Sequence, residues 1–135
     1  MSKEITWQNR IESFKEQLGR LLTGKKFRWK DVDSSFWKNI PEKPGVYVII
    51  EKYRYIYVGQ SKNLRNRLKM HCRANISGDT FHNKLYKIRH ISSKEDRKKF
   101  VEDKCSFKFL EVREYEDLDN FEHFTIAALN PELND

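Results

Sequence analysis

Two tyrosines, an arginine, a histidine and one distant glutamate are the residues of this chain with chemistry to offer. Tyr47 closes the triplet Gly45-Val46-Tyr47, and Tyr57 opens the triplet Tyr57-Val58-Gly59. Arg67 follows ten residues after Tyr57, and His71 four after that, one helical turn further along the same face. Arg presents planar donors that suit a phosphate. His donates to a phosphate oxygen or moves a proton near neutral pH. Far downstream, Glu122 falls inside the apolar arc that Leu118, Thr125, Ile126 and Leu129 form on a helical wheel. A buried carboxylate is costly unless it has a cation, a hydrogen-bond donor or a metal ion. A phenol pair, a cation and an isolated acid are parts that metal-dependent phosphodiester cleavage requires.

Spacing alone also allows plainer roles. A strand tyrosine usually packs with its hydroxyl at the rim. Glu122 would serve as well in a core ion pair with an Arg or Lys, and Arg67 and His71 on a solvated basic helix. Gly59, at a strand-to-helix junction, permits a tight turn or a close backbone approach to a ligand. Lys62, Arg65, Lys69 and Arg73 read as backbone-phosphate contacts or as solvated charge, and Tyr53, Tyr55, Tyr86 and Tyr115 as packing residues.

The elements that must position these groups follow from periodicity. Trp7, Ile11, Phe14, Leu18, Leu21 and Leu22 recur at helical spacing, which predicts an amphipathic helix over roughly residues 4–22, stopped at Gly24. Its apolar stripe serves to cover the core or to meet a partner. Residues 25–44 read as irregular, anchored by Phe27, Trp29, Phe36 and Trp37. The Val-, Ile- and Tyr-rich runs 45–51 and 54–59, with a polar turn near Lys52 and Tyr53, predict a hairpin in which Tyr57 shares a face with Tyr55 and Gly59. Ser61 is the expected cap of a helix over about 62–73. A polar, basic insert follows, broken at Gly78, with Ser92 or Ser93 opening a short helix to about Asp103. Residues 105–112 predict a third strand, and Asp117 caps a last helix that ends before Pro131. The expected fold is α/β of the α+β kind: a small three-stranded sheet flanked by helices, with an extra N-terminal helix. Residues 1–44 would form that helix and a covering segment, and 45–135 the core of a single domain.

The 135 residues carry a net charge of +7, placed unevenly. Residues 52–104 hold 15 Lys/Arg against 5 Asp/Glu, and residues 105–135 hold 2 against 8. A basic middle suggests a surface that faces a polyanion. The acidic end fits DNA only if it faces elsewhere or holds metal. Cys72 and Cys105 match no zinc spacing, and unpaired thiols point to a reducing cytoplasm. No signal peptide and no apolar run of transmembrane length is expected.

Taken in order, these residues resemble the GIY-YIG nuclease family. The two triplets stand at Gly45-Val46-Tyr47 and Tyr57-Val58-Gly59, each with Val in place of Ile. Arg67 stands where the family has its essential arginine, and His71 where it has His or Tyr. Glu122 resembles the metal-binding glutamate, and Asn130, Pro131 and Asn134 its closing Asn-Pro and final Asn. The resemblance spans residues 45–134 and implies hydrolysis of DNA with one divalent metal, Mg²⁺ or Mn²⁺. It implies a catalytic set of Tyr47, Tyr57, Arg67, His71 and Glu122. Glu122 would hold the metal, and Arg67 would stabilise charge on the phosphate. Tyr47, or else Tyr57, would act as general base, and His71 would bind phosphate or relay a proton. Asn134 would brace the site or contact phosphate.

Within that family, His71 leans toward the restriction and homing members. Repair or junction-cutting enzymes, and an inactive nucleic-acid-binding module, are the alternatives. A partner or toxin-neutralising protein whose basic face binds another protein is a further one. With no appended DNA-binding domain, sequence reading is expected from residues 1–44 or 74–104. Cutting both strands would take a homodimer, with the N-terminal helix as the candidate surface, or two successive nicks.

Overall fold

Val46–Ile50 is apolar at every position, which suits a strand buried on both faces. It lies at the centre of the sheet. In the computed structural model of the chain, which describes residues 6–113 and 117–134, strand β2 (Gly45–Glu51) pairs antiparallel with β3 (Arg54–Ser61) on one side. On its other side lies β4 (Cys105–Glu111), also antiparallel.

The sheet has four strands, not the expected three. The extra one, β1 (Phe27–Arg28), pairs with the outer edge of β4 and gives the order β1-β4-β2-β3. Two residues are too few to show a period of two. Phe27 is held there by tertiary packing, with its ring 5.6 Å from Phe107 and 5.1 Å from Phe36.

Helices cover both faces. Against one face, Tyr47, Ile49, Tyr57 and Phe107 pack with α2 (Leu64–Met70), α3 (Thr80–Ile88), α4 (Lys94–Lys104) and the indoles of Trp29 and Trp37. Against the other, Val46, Val48, Ile50 and Val58 pack with α1 (Trp7–Leu22) and α5 (Leu118–Leu129). Only part of the predicted α1 stripe is used. Phe14, Leu18, Leu21 and Leu22 join the core, whereas Trp7 and Ile11 stay 67% and 47% exposed. The expected start at residue 4 and the packing role of Tyr115 lie outside the described residues.

Three further expectations are corrected. The cap of α2 is Asn63, whose side chain accepts from the Asn66 N–H; Ser61 instead hydrogen bonds to the backbone of Asn63. Inside the basic insert a complete helix, α3, begins at Asp79. Arg97 of α4 is buried there and donates to the carbonyls of Ala74, Ile91 and Ser92, so it ties the insert together.

The third correction concerns the hairpin. A bulge places Ile49 opposite Tyr57 and Ile50 opposite Tyr55, leaving Ile56 as the extra residue. Tyr57 therefore shares a face with Gly59 and Tyr47, while Tyr55 points into the opposite core. No helix among the described residues is long and apolar enough to cross a membrane. Cys72 and Cys105 are unpaired.

Candidate active site

Gly59 makes the site geometrically feasible. It lies within β3, not at a junction, directly opposite Tyr47. A Cβ there would collide with the Tyr47 ring carbon Cζ and hydroxyl oxygen. The close approach that this glycine permits is therefore to the phenol of Tyr47, which lies across it and is 1% exposed.

The Tyr47 hydroxyl is 2.8 Å from Nε2 of His71, and the two rings lie 5.5 Å apart. Tyr57 stands beside them, its ring 6.3 Å from that of Tyr47. Burial holds the Tyr47 phenol well above its ordinary value; Tyr57 adds to the shift and Arg67 opposes it. Burial, then the nearby charge of Glu122, pushes Tyr57 up to about 12. Both phenols thus keep their protons at neutral pH unless a group accepts them.

His71 closes the C-terminal end of α2 and is buried. Its Nδ1 lies 2.9 Å from an oxygen of Asp79, which also accepts from the His82 N–H at the start of α3. Burial acts to raise the Asp79 carboxyl. The bonds from His71 and the His82 backbone outweigh it and hold the group below its ordinary value. Trp29 and Phe81 close over the imidazole edge to face, at 6.2 and 5.2 Å. The covering segment, through Trp29, and α3, through Phe81, thus both pack on His71.

Arg67, one turn before His71, is half-buried, and no hydrogen bond or ion pair among the described residues holds its guanidinium. Glu122 is 16% exposed on α5. Its Oε1 receives the Gln60 amide at 3.3 Å and lies 3.9 Å from the exposed His123. The core ion pair with Arg or Lys is not formed among the described residues. Burial therefore raises this carboxyl, against the opposing bond from Gln60. Gln60 also donates to Asp119, so it ties the end of β3 to α5.

Asn134 uses its whole amide on β3, accepting from the Val58 N–H and donating to the Val58 carbonyl, both at 2.7 Å. It braces the strand between Tyr57 and Gly59. Asn130 ends α5 in the left-handed conformation at φ 46°, with Pro131 next, which turns the chain back toward β3.

Arg65 is also engaged within the chain. It bonds the Glu42 carboxylate at 2.6 Å and the Ile40 carbonyl at 2.9 Å, which pins the covering segment to α2. Lys62, Lys69 and Arg73 are exposed. Sequence reasoning missed Gln60, Asp79 and His82. Asp79 carries a local signal as a cap between Gly78 and Thr80, but its approach to His71 is a tertiary contact.

His82 gives the site a pH response. Its ring is fully buried, donates through Nε2 to the His71 carbonyl, and leaves Nδ1 without a partner among the described residues. Burial holds its pKa below the ordinary 6.5. The unfolded chain therefore takes up this proton first as pH falls. The stability contribution is intact above about 6.5 and is lost on acidification through the folded value. The thermal midpoint is expected to fall more between pH 7.5 and 5.5 in the wild type than in His82→Gln; equal falls would contradict this assignment.

Tyr47 lies across Gly59 beside Tyr57 and His71, on a small antiparallel sheet between helices. Residues 43–134, more than half of the chain, match the family model described as the GIY-YIG catalytic domain. The chain belongs to that family. Part of it is 48% identical over 40 residues to UvrABC system protein C of Thermosipho africanus, covering 30% of this chain and 7% of that protein. A stretch of 58 residues is 40% identical to the Shewanella frigidimarina protein of the same name, covering 42% and 10%. The chain thus matches a small fraction of the length of these relatives. In structure it is similar to the GIY-YIG N-terminal endonuclease domain of UvrC from Thermotoga maritima, bound to its catalytic magnesium. That likeness has a TM-score of 0.48 at 23% identity, covering 77% of this chain and 100% of that domain.

Proposed function

We propose that this chain hydrolyses phosphodiester bonds of DNA through Tyr47, Tyr57, Arg67, His71 and Glu122, with a divalent cation, Mg²⁺ or Mn²⁺. The observation that carries the reading is the buried Tyr47 hydroxyl 2.8 Å from an imidazole, with the charges of Arg67, Asp79 and Glu122 acting on it. Residues 45–135 are read as the catalytic core and 1–44 as its cover.

The donor set suits a hard cation. Glu122 offers one carboxylate, mostly enclosed and lacking an Arg or Lys partner among the described residues. No cluster of three His, Cys, Asp or Glu exists among the described residues. Mg²⁺ is often held by one or two carboxylates, with waters and phosphate oxygens as its other ligands. When bound, such an ion supplies Lewis-acid stabilisation of the phosphate.

The chain's own residues do the rest. Tyr47, once its proton has passed to His71, takes a proton from the attacking water, and Tyr57 orients that water. The water oxygen forms a bond to phosphorus, the opposite ester bond breaks, and the departing oxygen takes one proton from solvent. The reaction consumes one water and leaves a phosphomonoester and a free hydroxyl. Arg67 binds the phosphate oxygens as charge develops. Lys62, Lys69 and Arg73 contact flanking phosphates.

A restriction- or homing-like role is the first reading. The local identity to UvrABC system protein C favours a second, repair-type or junction-cutting role. A homodimer through the exposed Trp7 and Ile11, or two nicks in succession, would serve double-strand cutting. The free thiols of Cys72 and Cys105 support a cytoplasmic setting.

Incubating the protein with plasmid, linear duplex, flap and four-way junction, with and without Mg²⁺, tests the proposal. Mg²⁺-dependent cleavage of at least one substrate is expected. Salt-sensitive binding of all four without any cutting would show an inactive binding module instead.

A further inference from the structure

Asp79 has no counterpart in the motif residues, yet it is as buried as the imidazole it touches, each 1% exposed. Its two oxygens lie 3.1 and 2.9 Å from Nδ1 of His71. On its far side, that ring meets the Tyr47 hydroxyl through Nε2 at 2.8 Å. The three groups form one buried line from a carboxylate through an imidazole to a phenol, with the phenol as its outer end.

An ionised carboxylate only accepts hydrogen bonds. The Asp79 oxygens also accept from the first turn of α3, and the combined donors keep the group ionised. Nδ1 of His71 must therefore carry the hydrogen. In the neutral ring this leaves Nε2 as a bare lone pair facing the phenol. The opposite tautomer would present an N–H to Tyr47 and could take no proton from it.

We propose that Asp79 is a positioning residue for the cleavage reaction. It holds His71 in the Nδ1–H tautomer, so that Nε2 accepts the Tyr47 proton and the resulting imidazolium is balanced by the carboxylate. The proposal rests on the reading of Tyr47 as the base. The proton moves from Tyr47 Oη to His71 Nε2, and the phenolate then takes one proton from the attacking water. The imidazolium loses its extra proton to solvent after turnover. No electron pair leaves the system and no further reactant is needed.

The helix-capping duty of Asp79 gives a clean separation. Asn caps a helix as well as Asp does. Asp79→Asn therefore keeps the first turn of α3, while its carboxamide can donate to Nδ1 and reverse the tautomer. Nitrogen NMR of the wild-type protein is expected to show His71 protonated at Nδ1, and that of Asp79→Asn at Nε2. The single-turnover cleavage rate is expected to fall about 10²- to 10⁴-fold, with DNA affinity and helix content unchanged.

Glu122→Gln is assayed in parallel. A wild-type His71 protonated at Nε2 overturns the relay without any variant being needed. So does an Asp79→Asn chain that cuts at the wild-type rate while Glu122→Gln is inactive. Should both variants cut normally, the reading of the whole site fails, and the relay with it.

Discussion

Replacing Glu122 by Gln is expected to lower Mg²⁺-dependent cleavage about 10³-fold or more, while leaving the protein at least as stable as the wild type. The two halves of this result have one cause. Glu122 is mostly enclosed, and burial raises its carboxyl above the ordinary value. A raised carboxyl means that its charge at neutral pH opposes folding. Gln has the same shape without that charge, and its amide still meets Gln60. The substitution thus removes a destabilising charge together with the oxygen ligand. A residue kept for folding would behave in the opposite way. Cleavage rates and thermal midpoints measured on the same preparations check both halves. A variant that cuts normally, or that is inactive only because it unfolds, would contradict the assignment.

Arg67→Ala is the second large effect. We expect a loss of about 10²- to 10³-fold in the single-turnover rate, near 3–4 kcal/mol of transition-state stabilisation. Stability should change by less than about 0.5 kcal/mol, because no hydrogen bond or ion pair among the described residues engages the guanidinium. The distinguishing measurement is rate against affinity. A solvated basic residue touching DNA backbone would weaken binding and reduce its salt dependence by about one unit of slope. An arginine on the scissile phosphate lowers the rate of bound complex far more than it weakens binding. Arg67→Lys should recover only part of the loss, since an ammonium cannot present two parallel donors. Full activity in Arg67→Lys would reduce the role to charge alone.

Several parts of the site were legible before any coordinates. The hairpin declared itself through the Val, Ile and Tyr content of 45–51 and 54–59 and the polar turn between them. Glu122 was conspicuous because an acid interrupts the apolar arc of a helix. Asn130 and Pro131 marked the end of that helix through backbone conformation alone. Others were partly legible. Gly59 was singled out, but as an approach for a ligand, whereas what it admits is a side chain from the neighbouring strand. Arg65 looked equivalent to Lys62 and Lys69, yet it clasps Glu42 and Ile40. The strand β1 and the bulge at Ile56 were not legible, because both are decided by pairing with a neighbour rather than by the residues themselves.

Local pattern determined the elements of this chain, because helix and strand periods, caps and proline act within a few residues of themselves. It also marked Arg67, His71 and Glu122 as residues that interrupt or flank an apolar stripe, while Tyr47 and Tyr57 stood out only through the family resemblance. What it left open were the partners of those groups. Tertiary structure alone brought Asp79 behind His71, set Gly59 under Tyr47 and left the Arg67 guanidinium without a hydrogen-bond partner among the described residues while that of Arg65 found three. Such contacts join residues 8 to 27 positions apart across different elements, where no short-range period reaches. The line from Asp79 through His71 to Tyr47 therefore belongs to the packing, although each of its residues is written in the chain.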